Sequence, residues 1–313
     1  MIDVMAPDSM RYPRTILATC CVPWNADGSL AEDIFRDSIR LQIADGFRDL
    51  YIFGTAGEGY AVSDRQFDAV TRVFVDETRQ AGVSPMVGVI SLSLTTIIER
   101  IERAATMGVT AFQISLPSWG ALNDAELARF FDETCGRFPE LSFLHYNLPL
   151  AKRLVTPDEY AGLAARHPNL VATKYGSADY ATVIGLLTKA PAIRHFLTDL
   201  GFGYGSLVGE CGFLISLAAV HPARARAYFD AGKRRDAATL AAMGAELAGM
   251  VEALKRAVGS AAHMDGAYDK IFARMRDPRF PLRLLPPYQG ASEAAFERFV
   301  ATLRERFPQW VSP

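Results

Sequence analysis

The chain has 313 residues, half of them apolar and 22% charged, ordinary values for a globular enzyme with a sizeable core. A formal net charge of −2 offers no general attraction to nucleic acid or to an anionic membrane surface, and no apolar run approaches the roughly 20 residues that span a bilayer. Cys20, Cys21, Cys135 and Cys211 lack metal-ligand spacing and make a poor disulfide framework, and the histidines show no ligand pattern. Reduced thiols, a cytoplasmic location and no metal centre are therefore expected.

Along the chain, short apolar runs typical of buried strands alternate with amphipathic segments. Residues 1–15 show no basic start followed by an apolar block, so no secretory signal is expected. The first strand is predicted over Ile16–Cys21, followed by a turn at Asn25-Ala26-Asp27-Gly28 and a helix over Leu30–Gly46. Leu50–Phe53, the second strand, leads to a helix opened by a capping box of Ser63 with Gln66. The third, Pro85–Ile90, precedes a helix over Thr95–Met107. The fourth, Ala111–Leu116, precedes a helix capped by Asn123 with Glu126 and running to Phe138. The fifth run, Leu141–His145, ends at Tyr146, and the sixth, Leu170–Thr173, ends at Lys174. Between them, Thr156-Pro157-Asp158-Glu159 combines a cap, a first-turn proline and a capping-box glutamate. Ile193–Leu197 and Phe213–Ile215 are the seventh and eighth strands.

Strands alternating with helices imply right-handed crossovers and a parallel sheet. Eight such units over residues 1–232 predict an α/β fold, a (β/α)8 TIM barrel carrying the active site, with an open doubly wound sheet as the alternative. Asp236–Val258, Asp265–Met275 and Glu293–Phe307 read as helices with no strands between, so residues 233–313 are expected to form an all-helical C-terminal region.

In such a barrel the active site lies where strands end. Gly54-Thr55-Ala56-Gly57-Glu58-Gly59 after the second strand is a cradle for a carboxylate or a tight turn whose glycines serve only backbone geometry. It is not a phosphate loop, because no Lys-Ser/Thr ending follows. Lys174, behind the apolar Leu170-Val171-Ala172, either snorkels to solvent or is partly buried with a lowered pKa. A desolvated lysine amine is what Schiff-base chemistry requires. Tyr146 alone is a packed aromatic as readily as a catalyst. On neighbouring strands of one barrel, its tip and that of Lys174 fall a few ångströms apart. His145 should point to the other face by alternation and receives no role.

These residues carry a resemblance. Thr19-Cys20-Cys21-Val22-Pro23-Trp24-Asn25 with Asp27-Gly28, Gly54-Thr55-Ala56-Gly57-Glu58, Tyr146-Asn147-Leu148-Pro149, Lys174, and Gly209-Glu210-Cys211-Gly212-Phe213 through Pro222 occur in order. Tyr146 precedes Lys174 by 174 − 146 = 28 residues. Over nearly its whole length the chain resembles the dihydrodipicolinate synthase / N-acetylneuraminate lyase family of class I aldolases. The resemblance implies that Lys174 forms a Schiff base with pyruvate or another 2-oxo acid and that Tyr146 shuttles protons. It further implies that Thr55 and the N–H groups of Thr55 and Ala56 hold the carboxylate, and that Leu214 lines the pocket. No metal or organic cofactor is then needed.

The chain also departs from that pattern. The second threonine of the turn, a proton relay in dihydrodipicolinate synthases, is Ala56. The arginine five residues after the tyrosine is Ala151, with Lys152 and Arg153 just beyond, and a tyrosine pair after strand four is Ser118-Trp119. Gly176 stands where the sialic-acid lyase branch has a threonine, whereas Asp199 and Ser216 fall where that branch contacts a sugar chain. An aspartate before a glycine-rich turn, as at Asp199, also serves as a local cap. Trp119 stacks on a substrate or packs on a loop.

The expected activity is that of a Schiff-base lyase, aldolase or dehydratase, favouring a 2-keto-3-deoxy sugar acid. The alternatives are 4-hydroxy-tetrahydrodipicolinate synthase, an N-acetylneuraminate lyase-like activity and a non-catalytic metabolite-binding relative; a barrel enzyme using metals or phosphates lacks the expected strand-end ligands. By the same resemblance a homo-oligomer, dimer or tetramer, is expected.

Overall fold

The computed structural model describes residues 11–176 and 179–311. The signal-sequence reading of residues 1–15 therefore falls mostly outside the described residues. Eight parallel strands close in sequence order into a barrel. They are β1 Ile16–Thr19, β2 Asp49–Ile52, β3 Pro85–Gly88, β4 Ala111–Ile114, β5 Ser142–Asn147, β6 Leu170–Tyr175, β7 Arg194–Leu197 and β8 Gly212–Ile215. Each is followed by a helix: α1 Glu32–Ala44, α2 Asp64–Gln80, α3 Leu94–Thr106, α4 Asp124–Phe131, α5 Pro157–Arg166, α6 Tyr180–Lys189, α7 Asp199–Val208 and α8 Pro222–Arg234. Among the described residues three further helices follow, α9 Ala237–Val258, α10 Asp265–Arg276 and α11 Glu293–Arg306. This is the (β/α)8 barrel with C-terminal helices that the alternation predicted.

Local chemistry explains the boundaries. Ser63 with Gln66, Asn123 with Glu126 and Thr156 with Glu159 form reciprocal capping boxes at the starts of α2, α4 and α5, satisfying backbone donors the first helical turn leaves free. β1 ends at Thr19, two residues short of the prediction, and α4 gives way after Phe131 to a wider helical turn over Asp132–Gly136. The glycine-rich stretch after β7 is not a turn but helix α7, with Thr198 as its cap and Asp199 as its first residue. Tertiary packing overrides glycine's low helix propensity there: a Cβ at Gly203 would lie 2.4 Å from the Tyr228 hydroxyl oxygen.

The core has two layers. Leu17, Tyr51, Met86, Leu144, Val171, Ala172, Phe196 and Leu214 fill the barrel interior, while outward-facing strand residues such as Phe112, Phe143 and Phe213 pack beneath the helices. Each such buried side chain contributes roughly 1.5–3 kcal/mol relative to exposure. All four cysteines are free and buried. By length and composition α9 could cross a membrane, contrary to the sequence reading. In the fold it buries Leu240, Met243, Leu247 and Met250 and packs against α7, α8 and α11.

Candidate active site

β5 and β6 pair in a register that sets Tyr146 beside Lys174. Alternation turns both side chains to the barrel interior and sends His145 outward, where its Nδ1 lies 2.6 Å from the Tyr160 hydroxyl. Lys174 is buried; its Nζ donates to the Tyr51 hydroxyl at 2.8 Å and lies 3.9 Å from the Tyr146 ring centroid. Burial brings the Lys174 amine down to about 8, with Asp265 and Asp269 partly opposing the shift. Of the two readings of this lysine, snorkelling is excluded. Burial pushes the Tyr146 phenol up, Asp265 adding to the shift. The Thr55 hydroxyl donates to the Tyr146 oxygen at 3.2 Å.

A cavity of about 450 Å³ opens over this lysine. Ala56, Leu214, Asp199 and Ser216, all singled out in the sequence, line it together with Tyr146 and Lys174. Thr55 is buried and bonded to Tyr146 but is not among the lining residues. Ser216 Oγ donates to Asp269 Oδ1 at 3.0 Å. Asp199 is buried with Oδ1 unpartnered, and desolvation raises its carboxyl to about 7. Asp269 is likewise raised to about 7, first by desolvation and next by Asp265.

The glycine-rich turn owes its glycines to close packing: a Cβ at Gly59 would lie 2.3 Å from the Phe53 carbonyl oxygen. Phe53 itself has φ of 58°, a strained conformation for an aromatic residue at a strand end. Glu58 is fully buried and accepts from Trp24 Nε1 at 2.9 Å, the Leu285 N–H at 2.6 Å and Lys270 Nζ at 2.5 Å. Lys270 lies on α10, so the turn and that helix are bound as one unit.

Several lining residues went unread in the sequence: Tyr51, Asp265, Tyr268 and Asp269. Asp265 and Asp269 are four apart and share a helix face, the one signal that would have grouped them. The neighbours of Ala151 do not restore an arginine to the cavity. Arg153 pairs with Asp124 and Glu159 and donates to the Leu122 carbonyl at 2.6 Å. Trp119 is 82% exposed. Among the described residues no group of three His, Cys, Asp or Glu side chains is arranged to hold a metal ion.

Comparison with known proteins agrees with this architecture. A 4-hydroxy-tetrahydrodipicolinate synthase of Exiguobacterium sibiricum is 26% identical over 294 residues, covering 93% of this chain and 96% of that protein. An N-acetylneuraminate lyase of Pasteurella multocida is 25% identical over 242 residues, 73% of this chain and 79% of that protein. The crystal structure of YagE, a prophage protein from E. coli K12 in complex with pyruvate, superposes with a TM-score of 0.84 at 19% identity over 93% of this chain and 98% of that one; this likeness carries the fold. The model of the Dihydrodipicolinate synthetase family matches residues 12–271. The chain thus belongs to the dihydrodipicolinate synthetase family and is, with it, a lyase of the aldolase type.

Proposed function

We propose that this chain is a Schiff-base lyase in which Lys174 condenses with the ketone of pyruvate or of a larger 2-oxo acid. One observation carries the proposal: a lysine amine buried at the base of a cavity, with a pKa near 8 and a phenol beside it. Water leaves as the C=N bond forms. The resulting iminium accepts electrons from the adjacent carbon, so a C–C or C–O bond there can be made or broken. Thr55 orients Tyr146, which moves the protons, and the N–H groups of Thr55 and Ala56 receive the carboxylate. Leu214 supplies an apolar wall.

The favoured substrate is a 2-keto-3-deoxy sugar acid. Asp199, Ser216 and Asp269 offer hydroxyl-binding groups in the lining, and among the described residues no arginine lines the cavity, whose cations are Lys174 and Lys255. The names of several relatives favour 4-hydroxy-tetrahydrodipicolinate synthase instead; Ala56, Ala151 and the engaged Arg153 weigh against it. Free, buried thiols accord with a cytoplasmic location. The loops after β4 and β5 expose Trp119, Leu150 and Leu154, a surface suited to a homo-oligomer contact that sedimentation would reveal.

Borohydride added with pyruvate should leave a stable mass adduct on Lys174, and none on a Lys174→Ala chain. Absence of the adduct in the parent would remove the mechanism. A panel of keto-deoxy sugar acids, read by pyruvate release or by dehydration, then separates the substrate readings.

A further inference from the structure

Tyr146 and Thr55 are both buried, and Ala56 beyond them has no group to carry a proton. A phenol that must give up and regain a proton at each turnover needs a partner that reaches water. Among the described residues three carboxylates line the cavity: Asp199, Asp265 and Asp269. Asp199 and Asp269 are buried, whereas Asp265 is exposed to solvent. Asp265 lines the same cavity as Tyr146 and Lys174, and its charge acts on both.

Its placement is built into the fold. Asp265 is the first residue of α10, and its neighbour Gly266 abuts the site turn, with a Cβ there only 3.3 Å from the Ala56 carbonyl oxygen and 3.5 Å from that of Thr55. The buried Glu58–Lys270 pair ties α10 to the same turn. We propose that Asp265, delivered by α10, exchanges the proton of Tyr146 with solvent during Schiff-base chemistry at Lys174. The inference rests on the reading of Lys174 and Tyr146 given above.

The steps balance. When the carbinolamine loses its oxygen, Tyr146 protonates the hydroxyl, the C–O bond breaks as water leaves, and the nitrogen lone pair forms C=N. Asp265 then resupplies the phenol from solvent. When the iminium becomes an enamine, the adjacent C–H bond breaks and its electron pair forms C=C while the C=N pair returns to nitrogen. The released proton goes to the Tyr146 oxygen as the phenol proton passes to the Asp265 carboxylate. An iminium cation and a carboxylate are both neutralised, a favourable exchange in a confined site. Tyr60, Tyr146, Lys174, Tyr268 and Asp269 feel the charge of Asp265.

Two readings on the full chain with pyruvate test this: borohydride trapping at Lys174, and loss of the pyruvate methyl proton signal in D2O. Asp265→Asn should still be trapped to completion while methyl exchange slows about 10²–10⁴-fold, the usual contribution of a positioned proton-transfer group. Asp265→Glu should recover part of the exchange. Exchange in Asp265→Asn within twofold of the parent would overturn the relay, as would equal loss of trapping and exchange, which assigns a structural role. A parent chain that cannot be trapped removes the Schiff-base reading itself, a different failure.

Discussion

At the scale of single residues, the behaviour of Lys174 is set by what surrounds its amine. Desolvation disfavours the ammonium form, and the Tyr51 hydroxyl gives the amine a partner without a charge. With a pKa of about 8, roughly one lysine in ten is neutral at pH 7, against roughly one in three thousand for an ordinary lysine. Because the neutral amine attacks, the rate of adduct formation with pyruvate should climb about tenfold per pH unit below 8 and level off above it. A rate still rising steeply at pH 9.5 would contradict the burial effect. Lys174 and Tyr146 were legible because each ends an apolar run. Tyr51 was not, since within Leu50–Phe53 it reads as one more strand aromatic, and only barrel closure brings it under a lysine more than 120 residues away.

Among the elements, α10 has the largest role that its sequence conceals. It lies in the C-terminal region yet provides Asp265, Tyr268 and Asp269 to the cavity. Its seat is the Lys270–Glu58 pair, both members fully buried. Removing one partner from such a pair strands a charge and typically costs 3–5 kcal/mol. Lys270→Met should therefore lower stability by about that amount, and the added change Glu58→Gln should restore part of it. Denaturant unfolding gives both values, and amide exchange should show α10 and the Gly54–Gly59 turn loosening together. Additive losses in the double variant would disprove the coupling. The capping boxes of α2, α4 and α5 were readable because they are local reciprocal bonds. α7 was not, because its glycines answer to neighbours on β7 and α8 rather than to local propensity.

For the molecule as a whole, ligand binding and folding are linked. A ligand held only by the folded barrel stabilises it by about 2.7 kcal/mol at a hundredfold excess over its dissociation constant. Pyruvate should accordingly raise the melting temperature by several degrees, and Lys174→Ala should lose most of that rise. An equal rise in both chains would mean pyruvate binds elsewhere.

The βα rhythm, the capping boxes, the lysine and tyrosine at adjacent strand ends and the family motifs follow from the sequence by itself, because each depends on neighbours within a few tens of residues. The wall of the cavity depended on the tertiary structure. Asp265 and Asp269 meet Lys174 only because the chain closes the barrel and then returns α10 across its catalytic end. Whether a carboxylate faces solvent or a buried amine is set by that return, and no local pattern encodes it.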